Sequence, residues 1–210
     1  MAVMRLIIMT ESSKFSGKCV AGIDVKTGNW VRLVSNDKKT HGAIANNDLF
    51  YENGNRCKVL DIVDVPIIKA CGDNIQPENI LLDTSVYMKF VGKASLKEVL
   101  SKHPVENRKD ILGNKYSYIT AQRIDTVGYS LALVKVRNLR ICQVENLSGK
   151  PKTKVDFTYQ IDRYEQVSVT DPNLYTVPDG TVYNNAILVV SIGTPHNGKY
   201  YKFVSSIFVL

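Results

Sequence analysis

Apolar and polar residues alternate in short runs along most of this chain, the two-residue period of strands with one face buried. The clearest run places Val155, Phe157, Tyr159 and Ile161 on one side, against Asp156, Thr158 and Gln160 on the other. The same reading predicts strands at Met4–Met9, Lys18–Val25, Asn29–Ser35 and Lys58–Lys69 in the first half. In the second half it predicts Ser130–Val136, Leu139–Val144, Val155–Ile161, Val167–Thr170, Ala186–Ile192 and Tyr200–Val209. Three turns join neighbours: Lys26-Thr27-Gly28, where Gly28 supplies positive φ, Ser148-Gly149-Lys150-Pro151, and Pro195-His196-Asn197-Gly198. One helix interrupts the pattern. Ser95 and Glu98 form a capping box, Leu96, Val99 and Leu100 share a face, and Pro104 ends the segment at His103.

About five strands precede this helix and about six follow it, with no βαβ alternation. The chain therefore reads as mostly β, two small β-barrels in tandem with a short connecting helix: a first barrel over 1–92, a helical connector over 93–117 and a second barrel over 118–210. Between the early strands lies a long polar connection, residues 37–55, of the length at which loops in compact domains become functional. A second turn cluster, Gln76, Glu78 and Asn79, follows the Gly72-Asp73-Asn74 turn.

Composition narrows the partners. The chain of 210 residues carries a net charge of +7, and the excess is uneven: residues 1–90 hold 11 basic and 10 acidic side chains, residues 91–210 hold 16 and 10. Such a balance favours polyanions. In the opening hairpin Trp30 and Arg32 share a strand face beside Lys18, an aromatic ring next to cations, as a nucleic-acid strand requires. Trp30 has a structural alternative, plugging the core with Arg32 at its rim. In the second half Tyr159, Tyr164, Tyr183, Tyr200 and Tyr201 interleave with Lys150, Lys152, Lys154, Arg163, Lys199 and Lys202, a pattern of single-strand grooves and also of ordinary strand packing.

Catalytic templates are absent. No phosphate-binding, dinucleotide, zinc-protease or nucleophile-elbow motif occurs, and no cofactor or metal is expected from the four scattered cysteines and three histidines. Asp61 and Asp64, three apart on a strand, face opposite sides and do not form an acid–base pair. The first apolar run, about five residues, is shorter than the roughly 7–15 of a secretory signal core. It reads as a first strand, and the protein as cytoplasmic with no membrane partner.

Five segments in order resemble the dual OB-containing domain family, a bacterial and archaeal group: SSKFSGKCVAGIDVKTGNWVRLVS at 12–35, KVLDIVDVPI at 58–67, IQPENIL at 75–81, FTYQIDRYEQVSVTDP at 157–172 and LVVSIGTPHNGKYYKFVSSIF at 188–208. The resemblance implies two OB-type barrels that bind nucleic acid, in a family associated with prokaryotic conflict or defence. Its matching positions are Ser13, Lys14, Gly17, Cys19, Gly22, Asp24, Gly28, Trp30, Arg32, Gln76, Glu78, Asn79, Thr170, Asp171 and Lys202.

The expected function is a non-enzymatic module for nucleic acid, single-stranded DNA or RNA, contacting phosphate through Lys14, Lys18, Arg32, Lys38 and Lys39 and through the basic second half. Two alternatives stand beside it. One is a nucleotide or small-ligand sensor whose pocket between the barrels is lined by Trp30, Arg32, Gln76, Glu78 and Asn79. The other is a protein-interaction subunit whose strand edges pair with a partner protein.

Overall fold

The computed structural model describes residues 2–145 and 149–210, in two units, Met1–Pro104 and Val105–Leu210. The first unit contains β1 (Ala2–Lys14), β2 (Gly17–Asp24), β3 (Trp30–Val34), β4 (Asp61–Ala70), β5 (Asn79–Leu82), β6 (Lys89–Lys93) and helix α1 (Leu96–Lys102). Strand β1 pairs with β2 on one side and β4 on the other, β2 with β3, β3 with β5, and β5 with β4, closing a five-stranded barrel. All pairings are antiparallel except β3 with β5. Strand β6 lies along the first part of β4.

In the second unit are β7 (Tyr118–Thr120), the short helix α2 (Ala121–Ile124), β8 (Leu131–Glu145), β9 (Pro151–Tyr159), β10 (Asp162–Val169), β11 (Val182–His196) and β12 (Lys199–Val209). Strands β8 to β12 repeat the connectivity of β1 to β5. The ring runs β8-β9-β10-β12-β11 and back to β8, and its third and fifth strands, β10 and β12, are again the parallel pair. Two closed barrels with this order are tandem OB folds. Helices contribute little, and among the described residues no helix is long and apolar enough to cross a membrane.

Local chemistry accounts for the closure. The 15-residue β8 bends where Asn138 takes a positive φ of 52° and its register against β9 shifts between Arg137 and Arg140, so a single strand replaces the two expected there. The 13-residue β1 shifts register between Ile8 and Thr10, which lets it pair along both edges. An extra residue of this kind curls a strand enough to close a small barrel.

The expected alternation of β9 is found. Thr153, Val155, Phe157 and Tyr159 point inward and are buried, with Lys154, Asp156 and Thr158 between them more exposed. Ile161 departs from that series, because the chain turns at Gln160 (φ 54°) and leaves Ile161 94% exposed. The β11–β12 hairpin turns on Asn197 and Gly198, both at positive φ, as a two-residue hairpin turn requires. Of the turn read at 148–151, Ser148 lies outside the described residues.

Helix α1 carries the expected capping box, with Ser95 Oγ accepting from Glu98 N and Glu98 Oε2 accepting from Ser95 N. It belongs to the first unit. Its end packs over the β2–β3 turn, where Gly28 sits at φ 73° and a Cβ would come 2.6 Å from the Lys102 carbonyl oxygen. His103 Nδ1 completes the contact at 2.8 Å from Gly28 O.

Candidate nucleic-acid interface

OB barrels take oligonucleotides across the outer face of their second and third strands. In the first unit that face is β2–β3, and register sets its composition. Val20, Val31 and Leu33 fill the core, so Ala21 opposite Arg32 and Ile23 opposite Trp30 point outward. Yet Ala21 and Ile23 are fully buried and Arg32 is only 2% exposed.

The parallel β3–β5 pairing brings Asn79 opposite Arg32, and Arg32 N donates to Glu78 O at 2.9 Å. The guanidinium lies 3.9 Å from the Glu78 carboxylate, with both side chains at most 7% exposed. Gln76 Oε1 accepts from Asn79 Nδ2 at 3.2 Å. Arg32, Gln76, Glu78 and Asn79 thus meet as the sequence reading supposed, but as an enclosed polar cluster. Trp30 is half-buried, its ring edge-on to His103 with centroids 5.2 Å apart.

The predicted lysines separate into two groups. Lys14 Nζ donates to His41 O at 2.7 Å and anchors the 35–43 loop; burial lowers its pKa, Cys19 opposes that, and the nearby Arg32 adds to it. Lys18 lies 4.0 Å from Glu11. Lys38 and Lys39 are exposed at the tip of that loop.

Lys202 is the second large departure. Only 1% exposed, its Nζ donates to Ile111 O at 2.6 Å and to Asn114 O and Oδ1. Burial pushes its pKa down to about 7, with Asp110 pulling it back up. Burial therefore removes Arg32 and Lys202 from the surface cations, because an enclosed, partnered charge does not face a phosphate. Two of the interleaved tyrosines are likewise internal. Tyr159 OH donates to Arg108 O at 2.7 Å, and Tyr164 OH accepts from Ile111 N at 3.1 Å.

The matching face of the second barrel, β9–β10, is open. Val155 opposite Val167 and Val169 opposite Val204 point into the barrel. Lys154, Ser168 and Phe203 consequently form a row across β9, β10 and β12 on the outside. Lys152, two residues earlier on β9, is exposed. A groove of about 370 Å³ is lined by Lys152, Ser168, Thr170, Tyr175 and Phe203.

One wall is the turn after β10, where Asp171 Oδ1 accepts from Asn173 N at 3.0 Å. Gln143 ties that turn to the barrel, donating to Val177 O at 2.7 Å and accepting from Thr153 Oγ1 at 2.8 Å. Phe203 has room because Gly193 lies beneath it; a Cβ there would come 2.5 Å from Phe203 Cε2. Sequence reasoning did not single out Tyr175 or Phe203, since their meeting with Lys152 depends on pairing and turn geometry between distant segments. Lys152 and Lys154, read from the sequence as cations interleaved with tyrosines, were the legible part of the signal.

The family model described as dual OB-containing domain matches residues 4–207. No curated protein sequence matches the chain. A solved structure described as "Structural mimicry for functional antagonism" aligns over 100% of this chain and 92% of its own, at 9% identity and a TM-score of 0.36.

Proposed function

Because the chain belongs to the dual OB-containing domain family, we propose that it is a non-enzymatic module for single-stranded nucleic acid, which it grips on the β9–β10 face of the second barrel. The observation that carries this reading is the outward row Lys154, Ser168, Phe203 with Lys152 and Tyr175 beside it. Two cations without a carboxylate partner among the described residues meet backbone phosphates, and two exposed or half-exposed rings offer faces to bases. Stacking of this type contributes about 1–3 kcal/mol per base whatever the sequence.

The test is fluorescence polarisation with mixed-sequence single-stranded DNA and RNA at about 50 mM salt. The expected result is binding that weakens steeply with salt. The K152E/K154E variant should lower affinity by more than about tenfold and reduce the salt slope by about 1.4, which is two phosphates at about 0.7 each. A K38E/K39E control on the first barrel should lose less. No polarisation change with either oligonucleotide, or equal losses in the two variants, overturns the reading.

A further inference from the structure

The β7–β12 pairing gathers rings that lie outside the β9–β10 groove. Register sets Tyr118 of β7 opposite Tyr201 of β12. Strand period places Lys199, Tyr201 and Phe203 on one outer face of β12, with Lys202 and Val204 turned inward. The bulge in this part of the β11–β12 ladder adds its extra residue to β11, so β12 stays regular from Lys199 to Val204.

From Tyr201 the rings form a ladder. The Tyr118 ring lies 6.1 Å from that of Tyr201 and 6.3 Å from that of Tyr116, stacked on the latter at 27°, and His196 flanks Tyr201 at 6.5 Å. Tyr116, at the end, is 59% exposed, so the face turned away from Tyr118 is open. Lys199 Nζ sits 4.1 Å from the centre of the Tyr118 ring. Lys199 and the exposed Lys115 have no carboxylate partner among the described residues.

Buried groups set this ladder in advance. Asn114 Oδ1 accepts from Tyr116 N at 3.0 Å and from Lys202 Nζ at 2.9 Å, while Asn114 Nδ2 donates to Tyr118 O at 3.1 Å. Lys202 N donates to Ser117 O at 2.9 Å and Ala121 N to Gly198 O at 3.1 Å, tying β7 to β12 at both ends. Side chains already ordered lose little freedom on binding.

Topology makes the ladder a continuation of the groove. Strand β10 runs parallel to β12 and β9 antiparallel to β10, so Lys152 lies past the Lys154-Ser168-Phe203 row in one direction along β12, and Tyr201, Tyr118 and Lys199 lie past it in the other. The line from Lys152 to Lys199 covers about 20 Å of strand, which is about six phosphates at the spacing of a stacked chain. Outward acids on this part of β9 and β10 are engaged, Asp156 lying 3.7 Å and Glu165 2.9 Å from Arg163.

We infer that the strand gripped in the β9–β10 groove, on the reading proposed above, continues past Phe203 onto this ladder. Its unpaired bases stack on Tyr201 and on the open face of Tyr116, and its phosphates meet Lys199 and Lys115. Rings interleaved with cations that lack a carboxylate match bases interleaved with phosphates.

Polarisation titrations with oligo-dT of about 4 and about 10 nucleotides, within the range of site sizes of OB folds, test it. The parent should bind the long strand at least about thirtyfold more tightly than the short one, which exceeds the gain from extra registers alone. Y116A/K199E should weaken the long strand by at least about fivefold and lower its salt slope by about 0.7, while leaving the short strand and the melting temperature as in the parent. Y118L, which keeps an apolar side chain on β7 but removes the ring, should act in the same direction. K152E/K154E should weaken both lengths. Long-strand affinity unchanged in Y116A/K199E and Y118L, or the same loss on both lengths, overturns the ladder and leaves the groove standing. Absence of binding at either length removes both.

Discussion

The ammonium of Lys202 lies 2.6 Å from the carbonyl oxygen of Ile111, 91 residues earlier in the chain. Together with the bonds to Asn114, this contact fixes the 111–114 segment against β12 through one buried side chain. The cationic head serves the fold of the second barrel rather than its surface.

Replacing Lys202 by Met leaves those acceptors unpaired, and the variant should lose roughly 2–4 kcal/mol of stability near pH 8. Urea unfolding measures it. The sign of its pH dependence follows from a folded pKa of about 7 against the ordinary 10.5. Between these values the unfolded chain binds more protons than the folded one, so this group makes stability rise with pH. Unfolding curves from about pH 6 to about pH 10 should therefore show a slope in the parent that K202M lacks.

Arg32 and Glu78 form an enclosed pair. Arg32→Met takes the guanidinium away from the buried Glu78 carboxylate and should cost roughly 3–5 kcal/mol, whereas R32M/E78L should be less destabilised than R32M alone. Denaturant titration of the single and double variants checks this. Oligonucleotide affinity of the folded fraction should be unchanged in both.

Gly193→Ala should push the Phe203 ring from its seat, since the new Cβ comes 2.5 Å from it. A stability loss of about 1–3 kcal/mol is expected in thermal unfolding. Phe203→Ala should instead leave the barrel folded and weaken strand binding by about 1–3 kcal/mol in polarisation titrations.

Ser95→Ala removes half of the capping box and should cost about 1 kcal/mol, with Ser95→Asp close to neutral. Trp30, the single tryptophan, packs on His103 just beyond this helix. Its emission should shift to the red at lower denaturant in S95A than in the parent.

Much of the architecture was legible because it rests on neighbours in the chain. Strand alternation, the Asn197-Gly198 hairpin and the Ser95–Glu98 box are contacts within a few residues, and each stands where its local chemistry puts it. The opposed sides of Asp61 and Asp64 follow from strand period alone; Asp64 turns outward to Arg5 while Asp61 is buried.

Exposure was not legible. Period two places Trp30 and Arg32 on the outer side of β3, and that holds, but the β3–β5 pairing and Glu78 enclose Arg32, and such partners lie more than forty residues away. Lys202 shows the same effect. Its position in β12 follows from alternation, whereas its burial follows from the distant Ile111–Asn114 segment. Local periodicity sets which way a side chain points. Whether that direction meets water or protein is set by barrel closure, which enclosed Arg32 in the first barrel and left the second barrel's β9–β10 face open.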